Sequence, residues 1–441
     1  MVHVEPTCFY RKKYMNTFNF NLHPAIERGI NDLGFSEPTP IQRDAIPPAL
    51  DGRDVLACAM TGSGKTAAFV LPILQQMAGT PSGRTRALIL TPTRELASQI
   101  HEHTQAFARH TPVKSATVFG GVKPGKQEQA LRSGVDIVVA TPGRLLDLMQ
   151  NPWARFDHLE FLVIDEADRM LDMGFLPDIR RILARLPKKR QTMLFSATLP
   201  APIVKLSRDL LNDPVRIDVE RRSAPATGIT QSILPVPELL KANLLQEMLK
   251  RGDVETALVF TRTKHRANRL FQKLERAGFS VERIHGNRSQ PQREAALAGF
   301  KSGRIKVLVA TDIAARGIDV EALPHVINFD VPVAPEDYIH RVGRTARAGL
   351  IGDALTFASP AEQPLVNAIE RAVGRSITRR TIDGFDYNAK PEGRLEIPVG
   401  ERIAAHRARR AEERARGNGK AQRRTRPAGN RPSYRNARAA S

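Results

Sequence analysis

Three acidic residues near the middle of the chain have the arrangement of a metal site. Asp165, Glu166 and Asp168 follow directly after the apolar run 161–164, which is typical of a short buried strand. Carboxylates are almost never left inside a core without a cation or a hydrogen-bonding partner. Because packing does not explain three of them at the end of one strand, we predict that they bind a metal ion.

A glycine-rich segment earlier in the chain has the composition of a phosphate-binding loop. Residues 62–66 read Gly-Ser-Gly-Lys-Thr and lie between an apolar run at 55–59 and a predicted packed helix at 67–77. At a helix N-terminus, glycines let backbone N–H groups approach an anion, Lys65 can reach the outer phosphates and the Thr66 hydroxyl can bind Mg²⁺. With the three acids, the segment predicts a nucleoside triphosphate site. The alternative for this segment alone is an ordinary strand-to-helix turn.

The length of the chain predicts more than one domain. A chain of 441 residues is too long for one ordinary core, so we expect two domains with extensions. The sequence has no apolar run of about eighteen residues and no signal-like leader, which favours a cytoplasmic protein without membrane contacts. Only Cys8 and Cys58 are present, so we expect no disulfide partner. Met15 is an alternative to Met1 as the natural start.

Short apolar strands alternate with helical stretches in two successive blocks. The strand at 55–59 is followed in the first block by 88–90, 137–140, 161–164 and 193–195, and the second block contains 257–260, 307–310, 326–329 and 354–357. This alternation predicts an α/β fold, present twice, in which each mostly parallel sheet is flanked by helices. We expect an N-terminal extension at 1–17, a first domain at 18–213, a proline-containing linker at 214–230, a second domain at 231–375 and a basic C-terminal extension at 376–441.

Much of the net charge of +21 lies at the C-terminal end of the chain. Residues 401–441 contain thirteen lysines and arginines against three glutamates, and they supply +10 of that charge. Because this segment has too few apolar residues to bury a core, we expect it to be disordered. Clustered arginines gain affinity for a polyanion by releasing counterions, which favours nucleic-acid binding over a merely solubilising role.

A group of arginines in the second block has the chemistry of phosphoryl transfer. Arg341, Arg344 and Arg347 recur at every third position, and they would share one side of a helix beginning near Tyr338. Arginine offers a planar, permanently charged group to the charge that develops during transfer of a phosphoryl group. Since the second block has no phosphate loop, we expect these arginines to complete the site of the first block across a cleft. The alternative is a solvated basic helix face.

The order of these motifs resembles that of the DEAD-box RNA helicases, which consist of two tandem RecA-like domains. In chain order the motifs are 34–42 (GFSEPTPIQ), 59–66 (AMTGSGKT), 92–97 (PTRELA), 120–121 (GG), 141–144 (TPGR), 165–168 (DEAD), 196–198 (SAT), 260–262 (FTR), 310–319 (ATDIAARGID) and 340–347 (HRVGRTAR). The resemblance spans about residues 18–356, and residues 165–175 with the short basic tail look most like the bacterial RhlE-type branch. Met60 and Ala346 depart from the residues that are most frequent in the family.

The resemblance implies an ATP site with Mg²⁺ in the first domain. Asp165 would hold the metal through its water shell and Glu166 would orient or deprotonate the attacking water. Gln42 would bind the adenine edge while Phe18 stacks on the ring, which selects ATP. The implied ATP-binding residues are Phe18, Gln42, Thr61, Gly62, Ser63, Gly64, Lys65, Thr66, Gly317 and Asp319.

The resemblance also implies that the second domain takes part in catalysis. Arg344 and Arg347 would be the arginine fingers, and His340 would support the interface between the domains. Asp168, Ser196 and Thr198 would link the nucleotide site to domain closure.

RNA would lie across one edge of both domains. The implied contacts are Arg94, Gly121, Thr141, Gly143 and Arg144 from the first domain, and Arg262, Gly286, Arg293 and Thr311 from the second. Backbone N–H groups, hydroxyls and guanidinium groups bind phosphate without reading sequence, so single-stranded RNA and short duplexes of any sequence are the expected partners. Turn chemistry is the alternative for each of these residues taken singly.

Three functions are compatible with the sequence. The favoured one is an RNA-dependent ATPase that unwinds short duplexes or remodels RNA–protein complexes, such as ribosomal precursors or complexes with RNA-decay proteins. The second is an ATP-gated RNA clamp or annealing chaperone that acts mainly through the basic tail. The third is a processive DNA-translocating helicase, which the DEAD motif and the Gln42 segment disfavour.

Overall fold

The computed structural model describes residues 18, 20–60, 62–79, 83–219, 228–315, 320, 323–345 and 351–389. Within this part of the chain, the backbone forms two sheets of seven strands each. The predicted N-terminal extension, the centre of the predicted linker and residues 390–441 lie outside the described residues.

The first sheet has the strand order β3-β4-β2-β5-β6-β1-β7, and neighbouring strands are parallel throughout. Its strands are β1 (Val55–Cys58), β2 (Ala87–Leu90), β3 (Ser115–Val118), β4 (Ile137–Ala140), β5 (Phe161–Ile164), β6 (Gln191–Ser196) and β7 (Val215–Asp218). Its helices are α1 (Pro24–Asp32), α2 (Pro40–Leu50), α3 (Lys65–Met77), α4 (Arg94–Phe107), α5 (Gly125–Ser133), α6 (Pro142–Leu148), α7 (Ala167–Asp172), α8 (Leu176–Leu183) and α9 (Ala201–Leu210).

Both faces of this sheet are buried, which explains why its central strands are continuously apolar. In β5, Val163 packs into a core with α1 to α4, whereas Leu162 and Ile164 pack into a second core with α5 to α9. The sheet is therefore the middle layer of three, and the helices cover it on both sides.

The second sheet has the order β10-β11-β9-β12-β13-β8-β14 and is also parallel throughout. Its strands are β8 (Ile229–Pro235), β9 (Ala257–Thr261), β10 (Val281–Ile284), β11 (Val307–Thr311), β12 (His325–Asn328), β13 (Gly352–Ala358) and β14 (Thr378–Arg379). Its helices are α10 (Lys241–Arg251), α11 (Lys264–Arg276), α12 (Gln290–Lys301), α13 (Asp312–Ala315), α14 (Pro335–Val342) and α15 (Gln363–Val373), with 3₁₀ turns at Glu238–Leu240 and Pro360–Glu362.

The sequence predicts nine of the fourteen described strands and misses the four edge strands and the inner strand β8. The nine predicted strands correspond to β1, β2, β4, β5, β6, β9, β11, β12 and β13. Strand β7 lies in the range that we assigned to the linker, and it pairs with β1. Strand β14 lies in the range assigned to the C-terminal extension, and it pairs with β8. Residues up to Tyr387 thus belong to the same compact unit as the second sheet, while the domain boundaries as a whole stay a prediction.

Because the strands are parallel, their carboxyl ends lie along one edge of each sheet. One half of that edge carries candidate RNA-binding residues and the other half carries candidate nucleotide-binding residues. In the first sheet, Arg94, Gly121 and Thr141 follow β2, β3 and β4, while the acids and Ser196 follow or end β5 and β6. The sheet order therefore separates a candidate RNA edge, on β3-β4-β2, from a candidate nucleotide edge, on β5-β6-β1. In the second sheet, Gly286, Thr311 and Arg262 follow or end β10-β11-β9 in the same way.

No helix among the residues that the structure describes is long and apolar enough to cross a membrane.

The packing of the first domain predicts that truncating a buried leucine lowers the free energy of unfolding far more than truncating an exposed one. Leu74 of α3 is fully buried, whereas Leu33, which follows α1, is 39 % exposed. We expect Leu74→Ala to lower the free energy of unfolding of the first domain by about 2–5 kcal/mol, because it removes buried methyl groups and leaves a cavity. The matched Leu33→Ala should cost less than about 1 kcal/mol. Denaturant unfolding of both variants checks this, and equal losses would contradict the packing described here.

Candidate functional site

The phosphate loop leads directly into α3, as the sequence predicts. Gly64 precedes the helix with a φ of 94°, and a Cβ atom at this position would lie 2.5 Å from Gln42 Nε2 and 2.8 Å from Thr39 Oγ1. Only glycine can therefore pass at this point. Gly62 also has a positive φ, of 78°, and the Ser63 hydroxyl donates a hydrogen bond to the Met60 carbonyl. The backbone is shaped so that α3 begins within the loop.

Lys65 joins this loop to the acids at the end of β5. Its side chain is buried, its Nζ donates a hydrogen bond to the Ala59 carbonyl at 3.2 Å, and Nζ lies 3.7 Å from Asp165 Oδ1. A buried ammonium group is stable only next to groups that compensate its charge. Thr66 is the next residue of α3, so the lysine, the threonine hydroxyl and Asp165 belong to one site.

The three acidic residues that follow β5 have too little positive charge beside them to neutralise them. Burial raises the pKa of Asp165 to about 6; Lys65 opposes the rise, and the neighbouring Glu166 and Asp168 add to it. Ionisation of the Asp165 carboxyl group is therefore unfavourable in this buried site. A divalent cation bound beside it would make ionisation less unfavourable. Oxygen ligands from Asp165 and Thr66 are the kind that Mg²⁺ prefers, so the residues present fit this metal.

Glu166 has an unusual backbone conformation. It precedes α7 with φ 53° and ψ 50°, a left-handed geometry that costs a residue other than glycine on the order of 1–3 kcal/mol. Its buried Oε2 lies 3.7 Å from Arg169 Nε, and its N–H donates to Asp165 Oδ1 at 2.9 Å. Such strain concentrates where a side chain must be held in one place, in agreement with the role that we predict for Glu166.

Asp168, Ser196 and Thr198 form one hydrogen-bonded group. Asp168 Oδ2 accepts from the Thr198 N–H at 2.7 Å and from its hydroxyl at 2.9 Å. The Asp168 N–H donates to Ser196 Oγ at 3.1 Å, and that hydroxyl donates to the Thr198 carbonyl at 2.6 Å. The ends of β5 and β6 are thereby tied together, so a displacement of one strand end reaches the other.

Gln42 uses its side-chain amide to connect α2 with the phosphate loop. Its Oε1 accepts from the Thr39 N–H at 2.9 Å, and its Nε2 donates to the Gly64 carbonyl at 3.0 Å. The sequence indicated an adenine contact for Gln42 but not this bond to the loop. Phe18 is buried in edge-to-face contact with Phe20 and Phe35, at centroid distances of 5.3 and 5.7 Å. Its stacking on adenine stays a prediction.

The arginine segment of the second domain differs from the expected helix face. Helix α14 ends at Val342, before Arg344. Arg341 instead binds both carboxylate oxygens of Asp312, at 2.6 and 2.7 Å, and reaches Asn328 Oδ1 at 2.9 Å. The expected helix face is therefore wrong, because α14 ends before Arg344. Arg341 is paired with Asp312 of its own domain and lines the same small cavity as Arg344.

Arg344 lies where the two domains meet. It lines a small cavity of about 20 Å³ together with His340 of its own domain and Arg169 of the first domain. Arg169 is also the ion-pair partner of Glu166, so one residue of the cavity contacts the predicted catalytic acid. The predicted site residues Thr61, Gly317, Asp319 and Arg347 lie outside the described residues.

The RNA-edge residues of the first domain support one another. A Cβ atom on Gly121 would lie 1.8 Å from Arg94 Nη1, and Gly121 has a φ of 82°. The missing side chain thus leaves room for the Arg94 guanidinium against the backbone. Arg144 donates from Nη1 to the Val122 carbonyl at 3.3 Å. Thr141 precedes α6 and Gly143 lies in its first turn.

The corresponding residues of the second domain differ in their surroundings. Thr311 ends β11, Gly286 has open space around its Cα, and Arg262 is half-exposed. Arg293, by contrast, is nearly buried, and its Nη2 lies 3.0 Å from Glu95 Oε2 of the first domain. Its guanidinium is thus part of a contact between the domains.

Gln290 strengthens the same contact, and no motif in the sequence selected it. Its Nε2 donates to Glu95 Oε1 at 3.2 Å, so both carboxylate oxygens of Glu95 have a partner in the second domain. Glu95 belongs to the PTRELA motif, but its partner lies 195 positions away and leaves no local signal.

Two family models match the chain in tandem. The DEAD/DEAH box helicase model matches residues 39–206, and the helicase conserved C-terminal domain model matches residues 240–349. The first segment contains strands β1 to β6 of the first sheet and the second contains strands β9 to β12 of the second sheet, with most of the site residues described above.

Named relatives cover most of the chain. It is 42 % identical over 381 residues to the DEAD-box ATP-dependent RNA helicase CshA of Bacillus subtilis, covering 86 % of this chain and 76 % of that protein. It is 44 % identical to the RNA helicase CrhR of Synechocystis, with coverage of 85 % and 77 %.

Solved structures agree with the two-domain fold. Dbp5 of S. cerevisiae bound to RNA and ADP BeF3 has a TM-score of 0.75 at 31 % identity, covering 82 % of this chain and 95 % of that one. Mss116p bound to ssRNA and AMP-PNP has a TM-score of 0.74 at 29 % identity, covering 82 % and 78 %. With the tandem family matches and the extensive identity to named helicases, these results establish that the chain belongs to the DEAD-box ATP-dependent RNA helicases.

Proposed function

We propose that this protein is an RNA-dependent ATPase that clamps, bends and locally unwinds short RNA duplexes or remodels RNA–protein complexes. The observation that carries this proposal is the division of each sheet edge. Nucleotide-site residues end β5, β6 and β1, while phosphate-binding candidates end the three strands beside them in both domains. One closure of the domains can then act on both ligands.

The residues of the nucleotide site have complementary tasks. Lys65 and the loop N–H groups would bind the outer phosphates, and Thr66 and Asp165 would hold Mg²⁺, partly through water, which would supply positive charge for the transferred phosphoryl group. Glu166 orients the attacking water and accepts its proton. Arg344 reaches the site from the second domain, so hydrolysis depends on closure.

The arrangement of the two domains supports a clamp. The Dbp5 and Mss116p structures described above contain RNA and a nucleotide analogue, and their two-domain arrangement resembles that of this chain. We infer that the contacts of Glu95 with Gln290 and Arg293 belong to the closed form of this protein.

The finer assignments rest on the sequence. Residues 165–175 and the short basic tail support placement in the RhlE-type branch, and the low cysteine content supports a cytoplasmic location. Ribosomal precursors and complexes with RNA-decay proteins are the substrates that we propose for remodelling. Contacts limited to the RNA backbone give no preference for sequence.

A second candidate function is supported by the charge of the C-terminal segment. Residues 401–441 supply +10 of the net charge, which suits an annealing chaperone that acts through this segment. Deleting residues 401–441 discriminates between the two candidates. An unwinding enzyme would keep its RNA-stimulated ATPase activity, whereas a chaperone would lose its principal activity.

Steady-state ATP hydrolysis with and without single-stranded RNA tests the main proposal. We expect strong stimulation by RNA, little by matched single-stranded DNA, and a loss of kcat of about 10²- to 10⁴-fold in Glu166→Gln, since the general base is removed. Equal stimulation by DNA would refute the RNA assignment. Turnover that is insensitive to Glu166→Gln would refute the catalytic one.

The raised pKa of Asp165 predicts that nucleotide binding with Mg²⁺ depends on pH. Because the metal binds the ionised carboxylate, its apparent affinity should fall about tenfold for each pH unit below 6 and level off above 7. Calorimetric titration with ATP at fixed Mg²⁺ from pH 5.5 to 8 measures this. Asp165→Asn serves as the control, because it removes the titration of this carboxyl group alone; identical pH profiles for the two proteins would contradict the prediction.

The position of Arg293 predicts that it acts through domain closure. Glu95→Gln and Arg293→Gln should each reduce RNA-stimulated kcat by about tenfold or more, because each leaves a nearly buried charge without its partner. The double variant should be no worse than either single one. RNA affinity measured at several salt concentrations provides the check, since a direct phosphate contact by Arg293 would lower the salt slope by about one.

A further inference from the structure

Six charged side chains meet in the second domain at the ends of β8, β9, β12 and β13. We call them the charged cluster; they are Glu238, Lys241, Arg262, Arg266, Asp330 and Glu362. These residues follow the ends of four neighbouring strands of one sheet, which explains why residues distant in sequence lie close together. None of them belongs to the nucleotide site.

The cluster has the acids of a metal site but not its charge. The carboxylates of Glu238, Asp330 and Glu362 lie close enough together to hold an ion. However, Lys241 Nζ is 2.5 Å from Glu362 Oε2 and 3.1 Å from Glu238 Oε2. Arg266 Nη2 lies 2.6 Å from Asp330 Oδ1. Three cations thus already balance the three acids, and a metal ion would have to displace buried partners.

Arg262 is the member of the cluster that reaches the surface. Its side chain is 46 % exposed, whereas those of Lys241, Arg266 and Asp330 are buried. Its backbone N–H donates to Asp330 Oδ2 at 2.8 Å, which fixes the main chain where β9 ends. Arg262 therefore joins a buried ionic network to the edge that we assign to RNA.

The guanidinium of Arg262 is held by one of its terminal nitrogens. Nη2 donates to Glu362 Oε1 at 2.9 Å and to the Val331 carbonyl at 3.3 Å. A guanidinium has five N–H groups, and within the described part of the chain those on Nε and Nη1 of Arg262 can still donate to another acceptor. Phosphate is a common partner of the planar guanidinium group, which can donate two parallel hydrogen bonds to it.

Glu362 is itself held from several directions. Its Oε2 accepts from Lys241 Nζ, from the Ser359 N–H at 3.0 Å and from the Ser359 hydroxyl at 2.9 Å. Only Oε1 is directed to Arg262. A carboxylate with this many donors cannot change rotamer without losing them all, so it is a fixed support for the arginine.

We propose that Glu362 is a positioning residue for RNA binding. It holds the Arg262 guanidinium in the orientation in which it binds an RNA phosphate, and Lys241 and Ser359 hold Glu362. The inference rests on the proposed function, in which Arg262 is an RNA contact. Its physical basis is preorganisation, because an arginine ordered before binding loses less rotamer freedom when RNA arrives.

A double-mutant cycle on RNA affinity tests this. The dissociation constant of single-stranded RNA is measured with a non-hydrolysable ATP analogue, at several salt concentrations, for Arg262→Gln, Glu362→Gln and the double variant. Arg262→Gln should weaken binding and lower the salt slope by about one. Glu362→Gln should weaken binding by about three- to tenfold with the slope retained, because the arginine keeps its charge. In the Arg262→Gln background, Glu362→Gln should have no further effect.

Two further variants keep the test decisive if Glu362→Gln weakens folding. Ser359→Ala removes one support of Glu362 without touching Lys241, and it should weaken RNA binding only when Arg262 is present. Glu370→Gln is the matched control, because Glu370 also binds an arginine, Arg379, at 2.9 Å, but on the surface away from the RNA edge. It should leave RNA affinity unchanged.

The outcomes separate the two levels of inference. If Arg262→Gln changes neither affinity nor salt slope, Arg262 is not a phosphate contact and that part of the proposed function fails. If Arg262→Gln weakens binding but Glu362→Gln does not, or does so equally in both backgrounds, the positioning role is overturned.

Discussion

The parallel direction of the strands is the constraint on which the rest of the structure depends. Parallel strands end at the same edge of a sheet, so every loop that follows a strand contributes to one surface. In the first sheet that surface receives the acids after β5, the Ser196 group after β6 and the phosphate loop after β1. The order of the strands then decides which residues become neighbours. The strand order therefore separates the residues that we propose for the nucleotide from those that we propose for RNA.

Charges at this edge are buried in pairs, and the pairs differ in what they connect. Lys65 with Asp165 lies within the nucleotide site, and Arg341 with Asp312 lies within the second domain. Glu95 with Arg293 crosses between the domains. A buried ion pair is stable only while both partners stay together, since the desolvation cost of each charge remains when its partner leaves. The contact between the domains is therefore sensitive to small separations in a way that an apolar contact of the same size is not.

The sequence was sufficient for most of the central strands of each sheet, and it proposed residues for the nucleotide site. Strands buried on both faces, such as β4 and β11, are continuous apolar runs, so they can be recognised from the sequence alone. The four edge strands β3, β7, β10 and β14 were not predicted, because they are only partly buried and carry polar residues. Short motifs identified Lys65, Asp165 and Glu166 as candidates. The partners of Glu95 and Arg341 could be identified only in the folded chain. Contacts between distant residues leave no periodic or local signature in a single sequence.

The bond between Gln42 and Gly64 has a consequence for the fidelity of nucleotide use. The amide that we assign to adenine also holds the carbonyl of the glycine that precedes α3. Any base that draws this amide into a different orientation also disturbs the loop that receives the phosphates. A wrong nucleotide is then penalised twice, once in affinity and once in the geometry of the reacting groups. Selectivity of this kind appears in turnover even at concentrations where every nucleotide saturates the enzyme.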